Sequence, residues 1–127
     1  MTDPRKEGIR VLRELLPGVI AEGEVSFADG KFGEELGELT LTNVFGSLWN
    51  RLALSRRDRS LVTLGILIAL RAEGELEVHF SIGLRNGLTV EELEEVVYHS
   101  SAYAGFPAAA TARQIAIRTL PKAGDLP

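Results

Sequence analysis

The residues of this sequence best suited to acid–base chemistry are Glu75 and His79, which stand four positions apart. On a helix this spacing puts both side chains on one face, close enough to touch. A carboxylate beside an imidazole fixes its tautomer and raises its pKa, which suits a general acid or base near neutral pH. The alternative is a surface pair that adds about 0.3 kcal/mol to helix stability. The chain has two histidines and no cysteine, so few other side chains can carry such chemistry.

The second histidine, His99, lies on a helical stripe with Glu92, Val96 and Tyr103, and Glu95 stands four positions before it. This pattern fits either a second acid–base pair or a packed histidine whose ring nitrogens are hydrogen-bonded. A metal site built from both histidines and nearby glutamates has weak support, because no further ligand pattern accompanies them. We predict no metal and no cofactor.

Arginines cluster at the start of the longest apolar segment, in an otherwise acidic protein. The planar guanidinium fork suits a substrate carboxylate, and helix starts favour anions. Arg59 is the strongest candidate, since its helical stripe continues through Thr63 into the apolar body of the segment. A solvated helix start that pairs with nearby carboxylates is an equally good interpretation for Arg56 and Arg57. The cluster comprises Arg51, Arg56, Arg57 and Arg59.

Composition excludes several classes of partner. A net charge of −4 and a pI near 5.2 argue against nucleic acid or an anionic membrane as the main partner. The helix pair around residues 86–89 has the spacing of a helix-turn-helix, but its second helix opens with glutamates that would repel phosphates. The longest uncharged run, residues 60–70, is about half a bilayer span. A charged N-terminus without an apolar stretch and the lack of cysteine predict a soluble, cytoplasmic protein.

The elements that must position these residues are helices. Caps, breakers and apolar periodicity predict six of them, and no segment has the alternation of a strand. The local signals include a helix start at Asp3-Pro4, a break at Gly74, a stop at Asn86-Gly87 and a cap at Thr89 with Glu92 three residues on. We therefore predict one all-α domain over residues 1–127, with a frayed tail from residue 121. The alanine-rich last helix and the apolar central one need neighbours on several sides, so we expect a homo-oligomer. The predicted helices cover about residues 4–16, 32–47, 55–71, 75–85, 89–104 and 108–120.

Five blocks of this sequence, in order and with their spacing, resemble the carboxymuconolactone decarboxylase family. The resemblance covers about residues 49–116, and residues 1–48 match only loosely. The blocks are Trp49-x-Arg51, the run from Leu54 to Leu64, Glu75-Leu-x-x-His79, the run from Asn86 to Leu93, and Tyr103-Ala-Gly-x-Pro107.

This resemblance implies an all-helical fold shared with the alkylhydroperoxidase D-type proteins and a ring-like assembly of three or six copies. Those proteins use a glutamate, a Cys-x-x-Cys pair and a histidine as a redox relay. With His79 as the relay histidine, the other three positions hold Ser60, Ala72 and Glu75. Peroxide reduction by a dithiol is therefore chemically closed to this chain.

The resemblance then implies the decarboxylase branch, which converts 4-carboxymuconolactone to the β-ketoadipate enol-lactone and carbon dioxide without a cofactor. It implies that His79 donates a proton or meets the developing oxyanion, while Glu75 orients the ring. Arg59, helped by Arg51, would hold a substrate carboxylate. His99 and Tyr103 would line the pocket or serve packing.

Two alternatives stay open at this point. One is a family enzyme acting on another lactone or a β-keto acid, with residues 17–35 shaping the pocket mouth. The other is a non-enzymatic oligomeric binding or scaffold protein that kept the fold.

Overall fold

The computed structural model describes residues 3–121, which divide into two compact units, one ending at Ser55 and the other beginning at Arg56. All regular secondary structure of these residues is helical, which confirms the predicted fold class. That both units form one domain stays a prediction, and the predicted frayed tail lies, apart from Pro121, outside the described residues. The helices are α1 (Pro4–Leu15), α2 (Glu35–Thr40), the π-helix π1 (Leu41–Leu48), α3 (Arg56–Leu70), α4 (Glu73–Arg85), α5 (Val90–Ala104) and α6 (Phe106–Thr119).

The first unit is built on α1, which begins where the sequence predicts. Asp3 caps it by accepting a 2.9 Å hydrogen bond from the backbone N–H of Arg5, and Pro4 occupies the first helical turn, where no N–H is needed. Val11 and Leu15 are fully buried on one side of the helix. The unit therefore forms around the apolar stripe of α1.

The predicted second helix exists, but its start and its type differ from the prediction. The helix begins at Glu35 rather than near Phe32, and from Leu41 onward it has π geometry. The helices α1 and π1 cross closely at Gly46. A Cβ atom at this position would overlap the backbone carbonyl of Pro4, so the crossing requires glycine. The Arg5 guanidinium donates two 2.8 Å hydrogen bonds to the Glu38 carboxylate on α2 and a further one to the backbone carbonyl of Val25, in the loop between α1 and α2.

The second unit packs α3, α4, α5 and α6 around one apolar core. Each helix contributes fully buried side chains, such as Leu64 on α3, Phe80 on α4 and Leu93 on α5. The alanines of α6 let that helix approach its neighbours closely, as the sequence predicts. No helix among residues 3–121 is long and apolar enough to cross a membrane. The core comprises Leu64, Ile68, Leu76, Phe80, Leu88, Leu93, Val97, Ala108, Ala109, Ala112 and Ile115.

Local signals fix the junction between α4 and α5. Gly87 adopts a left-handed conformation (φ 99°), and its N–H and that of Leu88 bond the carbonyls of Leu84 and Gly83 at 3.1 and 2.9 Å. This is a Schellman ending, and it confirms the predicted stop at Asn86-Gly87. Thr89 then forms the predicted capping box with Glu92, with both reciprocal hydrogen bonds at 3.0 Å.

Candidate active site

His79 lies on the buried side of α4. Leu76, Phe80 and Gly83 share this side at helical spacing, and all are buried. His79 itself is only 6% exposed. An imidazole at this position is shielded from bulk solvent.

Glu75 stands next to this ring but at its outer edge. Its Oε2 lies 4.0 Å from Nε2 of His79, and its side chain is 68% exposed. The structure thus brings the predicted pair together as an electrostatic contact, too long for a direct hydrogen bond.

The pKa of His79 lies below its ordinary value of 6.5. Burial is the larger cause, since it penalises the charged ring, and the charge of Glu75 raises the pKa only in part. Glu75 thus raises the pKa of His79 as its spacing predicts, but desolvation outweighs this solvent-screened carboxylate and the net shift is downward. The ring is neutral at pH 7, with one N–H to donate.

A second buried polar group, Ser60, lies at the start of α3 and is fully enclosed. Its hydroxyl oxygen accepts a 2.9 Å hydrogen bond from Nδ2 of Asn86, which also donates to the backbone carbonyl of Arg56 at 3.3 Å. The beginning of α3 is thereby tied to the end of α4. The sequence predicts Asn86 only as a helix stop, although the stripe Ser60, Leu64, Ile68 already marks Ser60 as an inward-facing polar residue.

The two candidate arginines occupy different units. Arg59 is half-buried on α3, directly before Ser60, and its carbonyl accepts a 2.8 Å bond from the Thr63 hydroxyl. Arg51 is exposed in the first unit, just after π1, and its N–H bonds the Leu48 carbonyl at 3.2 Å. The carboxylate-binding roles of both stay predictions.

His99 and Tyr103 form a separate, exposed pair on α5. Their ring centroids are 5.3 Å apart with planes inclined by 41°. Tyr103 is 84% exposed, and His99 is also exposed; the roles of both residues stay predictions.

An open groove of about 890 Å³ runs past His99, along the N-terminal part of α5. Arg57 on its wall forms an ion pair with Glu92, as the solvated interpretation of that arginine predicts. A smaller apolar groove of about 370 Å³ lies between α5 and α6. His99 lines the larger groove, whereas His79 lines neither of these two grooves. The Glu75–His79 pair and the His99–Tyr103 pair therefore do not meet in a common groove. Among the described residues, no three histidine, aspartate or glutamate side chains are grouped so as to hold a metal ion.

Comparison with known proteins agrees with this all-helical architecture. The model of the carboxymuconolactone decarboxylase family matches residues 34–118. The chain therefore belongs to the carboxymuconolactone decarboxylase family.

Two relatives are named for the reactions they catalyse. A 4-carboxymuconolactone decarboxylase of Acinetobacter baylyi is 36% identical over 122 residues, which span 96% of this chain and 90% of that protein. A nitrosuccinic acid decarboxylase of Metarhizium robertsii is 33% identical over 114 residues, which span 90% of this chain and 79% of that protein. The chain is accordingly a carboxy-lyase of this family, and the scaffold alternative loses its support.

Proposed function

We propose that this protein decarboxylates 4-carboxymuconolactone, or a closely related lactone carboxylate, to the β-ketoadipate enol-lactone without a cofactor. The observation that carries the proposal is the enclosed imidazole of His79, only 6% exposed, beside the carboxylate of Glu75. The likeness to an enzyme of that name over 96% of this chain supports the choice of substrate.

The substrate itself supplies the electron sink that the reaction needs. The bond between the ring carbon and its carboxylate breaks, carbon dioxide leaves, and the electron pair spreads through the unsaturated lactone to its carbonyl oxygen. A proton then adds to carbon and gives the enol-lactone. The protein has to fix the carboxylates, stabilise the negative oxygen and control the proton.

His79 fits the second and third of these tasks. Because burial keeps the ring neutral at pH 7, its N–H can donate a hydrogen bond to the developing oxyanion. Its protonated form can instead supply the proton to carbon, with Glu75 stabilising that charge. The lowered pKa favours the oxyanion role, because burial disfavours the protonated ring and the neutral ring still carries an N–H.

A carboxylate of the substrate needs a cationic partner, and we assign this task to Arg59. Its guanidinium offers the paired donors that match a carboxylate, and it is half-buried one residue before the α3–α4 contact at Ser60. Arg51 is the second candidate for carboxylate binding, and His99 and Tyr103 are candidates for the pocket wall.

A second substrate class has specific support from the relative named nitrosuccinic acid decarboxylase. In nitrosuccinate the electron pair left by carbon dioxide passes to the nitro group instead of a lactone carbonyl. The same three tasks would serve both substrates, since each reaction moves the electron pair of the broken bond onto an oxygen that is conjugated with the carbon that loses its carboxylate. A β-keto acid provides an equivalent sink.

The test is carbon dioxide release from 4-carboxymuconolactone, nitrosuccinate and a β-keto acid, each compared with its rate without enzyme. We expect the largest kcat/KM on 4-carboxymuconolactone. If kcat/KM is at least tenfold higher on nitrosuccinate or on the β-keto acid, that compound replaces 4-carboxymuconolactone as the proposed substrate. If the enzyme accelerates carbon dioxide release from none of the three, the proposal is refuted. Arg59→Ala should raise KM more than it lowers kcat, whereas Arg113→Ala, on the outer face of α6, is the matched control and should change neither.

We further propose that the active form is a homo-oligomer of three or six copies that acts in the cytoplasm on a small-molecule carboxylate. Support for assembly comes from α3, where Val62, Ile66 and Leu70 stand at helical spacing and are 55, 54 and 70% exposed. An apolar stripe of this kind on one helix is typical of a protein interface.

A further inference from the structure

Within residues 3–121 only two polar side chains are buried, Ser60 and His79. Both belong to the second unit, one on α3 and the other on α4. A buried hydroxyl without a hydrogen-bond partner destabilises a fold, so a buried serine needs a partner. Its hydrogen bond then fixes a direction between two helices, which the contacts of an apolar side chain do not. The partner of Ser60 is Asn86, at the end of the helix that carries His79.

Asn86 also shares a helix face with His79. The two residues are seven positions apart, which is two helical turns and about 10 Å along the axis. The side-chain amide of Asn86 donates two hydrogen bonds to α3, one to the Ser60 hydroxyl at 2.9 Å and one to the Arg56 carbonyl at 3.3 Å. The side of α4 that presents the imidazole is therefore joined to α3 by bonds with a defined direction.

We propose that Asn86 and Ser60 are positioning residues for His79. Their hydrogen bond sets the rotation of α4 about its own axis, and with it the direction in which the imidazole meets the substrate. Apolar contacts tolerate sliding and small rotations, whereas a hydrogen bond weakens steeply when it is bent. The inference rests on the proposed role of His79 in decarboxylation.

The size of the effect follows from helix geometry. A side-chain tip lies about 5–6 Å from the helix axis, so a rotation of about 10° moves the ring by about 1 Å. A misplacement of about 1 Å at a reacting centre lowers a rate by up to about 10²-fold. Because the apolar core still restrains α4, we expect Asn86→Ala to lower kcat by about tenfold and to change KM by less than about twofold.

The experiment compares Asn86→Ala, Asn86→Asp, Ser60→Ala and the double variant Ser60→Ala/Asn86→Ala. Asn86→Asp keeps the size of the side chain and its preference for the helix end, but a carboxylate cannot donate to the Arg56 carbonyl. Ser60→Ala removes only the hydroxyl and should have the smaller effect, since Asn86 keeps its bond to Arg56. The double variant should lose no more activity than Asn86→Ala, because the two side chains act through one bond.

NMR of the two imidazoles separates positioning from a general loss of stability. Asn86→Ala should shift the ring resonances and the titration of His79, while the resonances of His99 on α5 stay in place. Thr111→Ala is the matched control, since it removes a hydroxyl that donates to the Pro107 carbonyl at 3.1 Å within α6. That control should leave kcat and both imidazoles unchanged.

Unchanged kcat and an unchanged His79 spectrum in folded Asn86→Ala would overturn the inference, as would additive losses in the double variant. Failure of the proposed function looks different. If the unmodified enzyme releases no carbon dioxide from any substrate tested, the NMR comparison still decides whether Asn86 positions the ring. If His79→Gln keeps full activity while Asn86→Ala loses it, Asn86 does not act through His79 and the inference is wrong.

Discussion

His79 makes the free energy of unfolding depend on pH in the range where an ordinary histidine titrates. In the folded chain burial lowers its pKa below 6.5, the value that the hydrated ring has in the unfolded chain. Below about pH 6.5 the unfolded state therefore binds more protons, and the free energy of unfolding falls as the pH falls. Above that pH both states are neutral at this position, and below the folded pKa both are charged, so the dependence is confined between the two pKa values.

The steepness of this dependence is set by one proton. A difference of one bound proton changes the free energy of unfolding by at most about 1.4 kcal/mol per pH unit, or tenfold in the unfolding equilibrium. The charge of Glu75 narrows the pH window because it raises the pKa of His79. Its side chain is 68% exposed, so solvent screens this opposition and leaves desolvation as the larger effect.

The assay is urea unfolding between about pH 8 and about pH 5, on the unmodified protein and on His79→Gln. The two proteins differ in one side chain, so the difference between their curves reports His79 together with its contact with Glu75. His99→Gln is the matched control, because it removes an exposed imidazole in place of the enclosed one. If the free energies of unfolding of the unmodified protein and His79→Gln depend on pH in the same way, the pKa of His79 is not lowered by folding. A stability that rises relative to His79→Gln on acidification would show that the folded pKa is raised.

Three further predictions follow from single contacts. Glu75→Gln should lower the pKa of His79 further, because it removes the charge that raises this pKa, and an unmoved NMR titration would contradict this. Thr89→Ala should lower the free energy of unfolding by about 1 kcal/mol through loss of the N-cap of α5, and a urea midpoint equal to that of Thr111→Ala would contradict it. Ile66→Glu should reduce the mass measured by light scattering towards that of one chain, whereas the exposed control Ala110→Glu should not, and an unchanged mass would remove α3 from the interface.

Much of the fold could be predicted because its helix ends are local events. Asp3-Pro4, Asn86-Gly87 and the Thr89–Glu92 box each act within a few residues, and each lies where the sequence places it. Gly74 was a misleading signal, since α4 begins at Glu73 and takes this glycine into its first turn. The N–H groups of a first turn have no intrahelical partner, so a glycine there does not end a helix.

The π geometry of π1 could not be predicted from the apolar pattern. Leucine and valine at helical spacing indicate a buried face, but they do not distinguish hydrogen bonds to the fourth residue from those to the fifth. The close crossing at Gly46 depends on α1, more than thirty residues away in the sequence, and no local signal reports it.

The candidate site shows the same division between local and distant information. Spacing alone places Glu75 beside His79, and the structure has them 4.0 Å apart. Spacing does not reveal that one side chain is exposed and the other enclosed, and the burial of His79 is what makes the net shift of its pKa downward. The contact between Ser60 and Asn86 joins residues 26 positions apart, so only the packed helices show it.

A role for the enclosed imidazole of His79 in decarboxylation is tested by kcat of His79→Gln on 4-carboxymuconolactone. Carbon dioxide release is measured beside Thr111→Ala, with the fold and the assembly of both variants checked by circular dichroism and light scattering. We predict that kcat falls by about 10² or more for His79→Gln, while Thr111→Ala stays within a few-fold of the unmodified enzyme. A folded His79→Gln that releases carbon dioxide at the unmodified rate would contradict it.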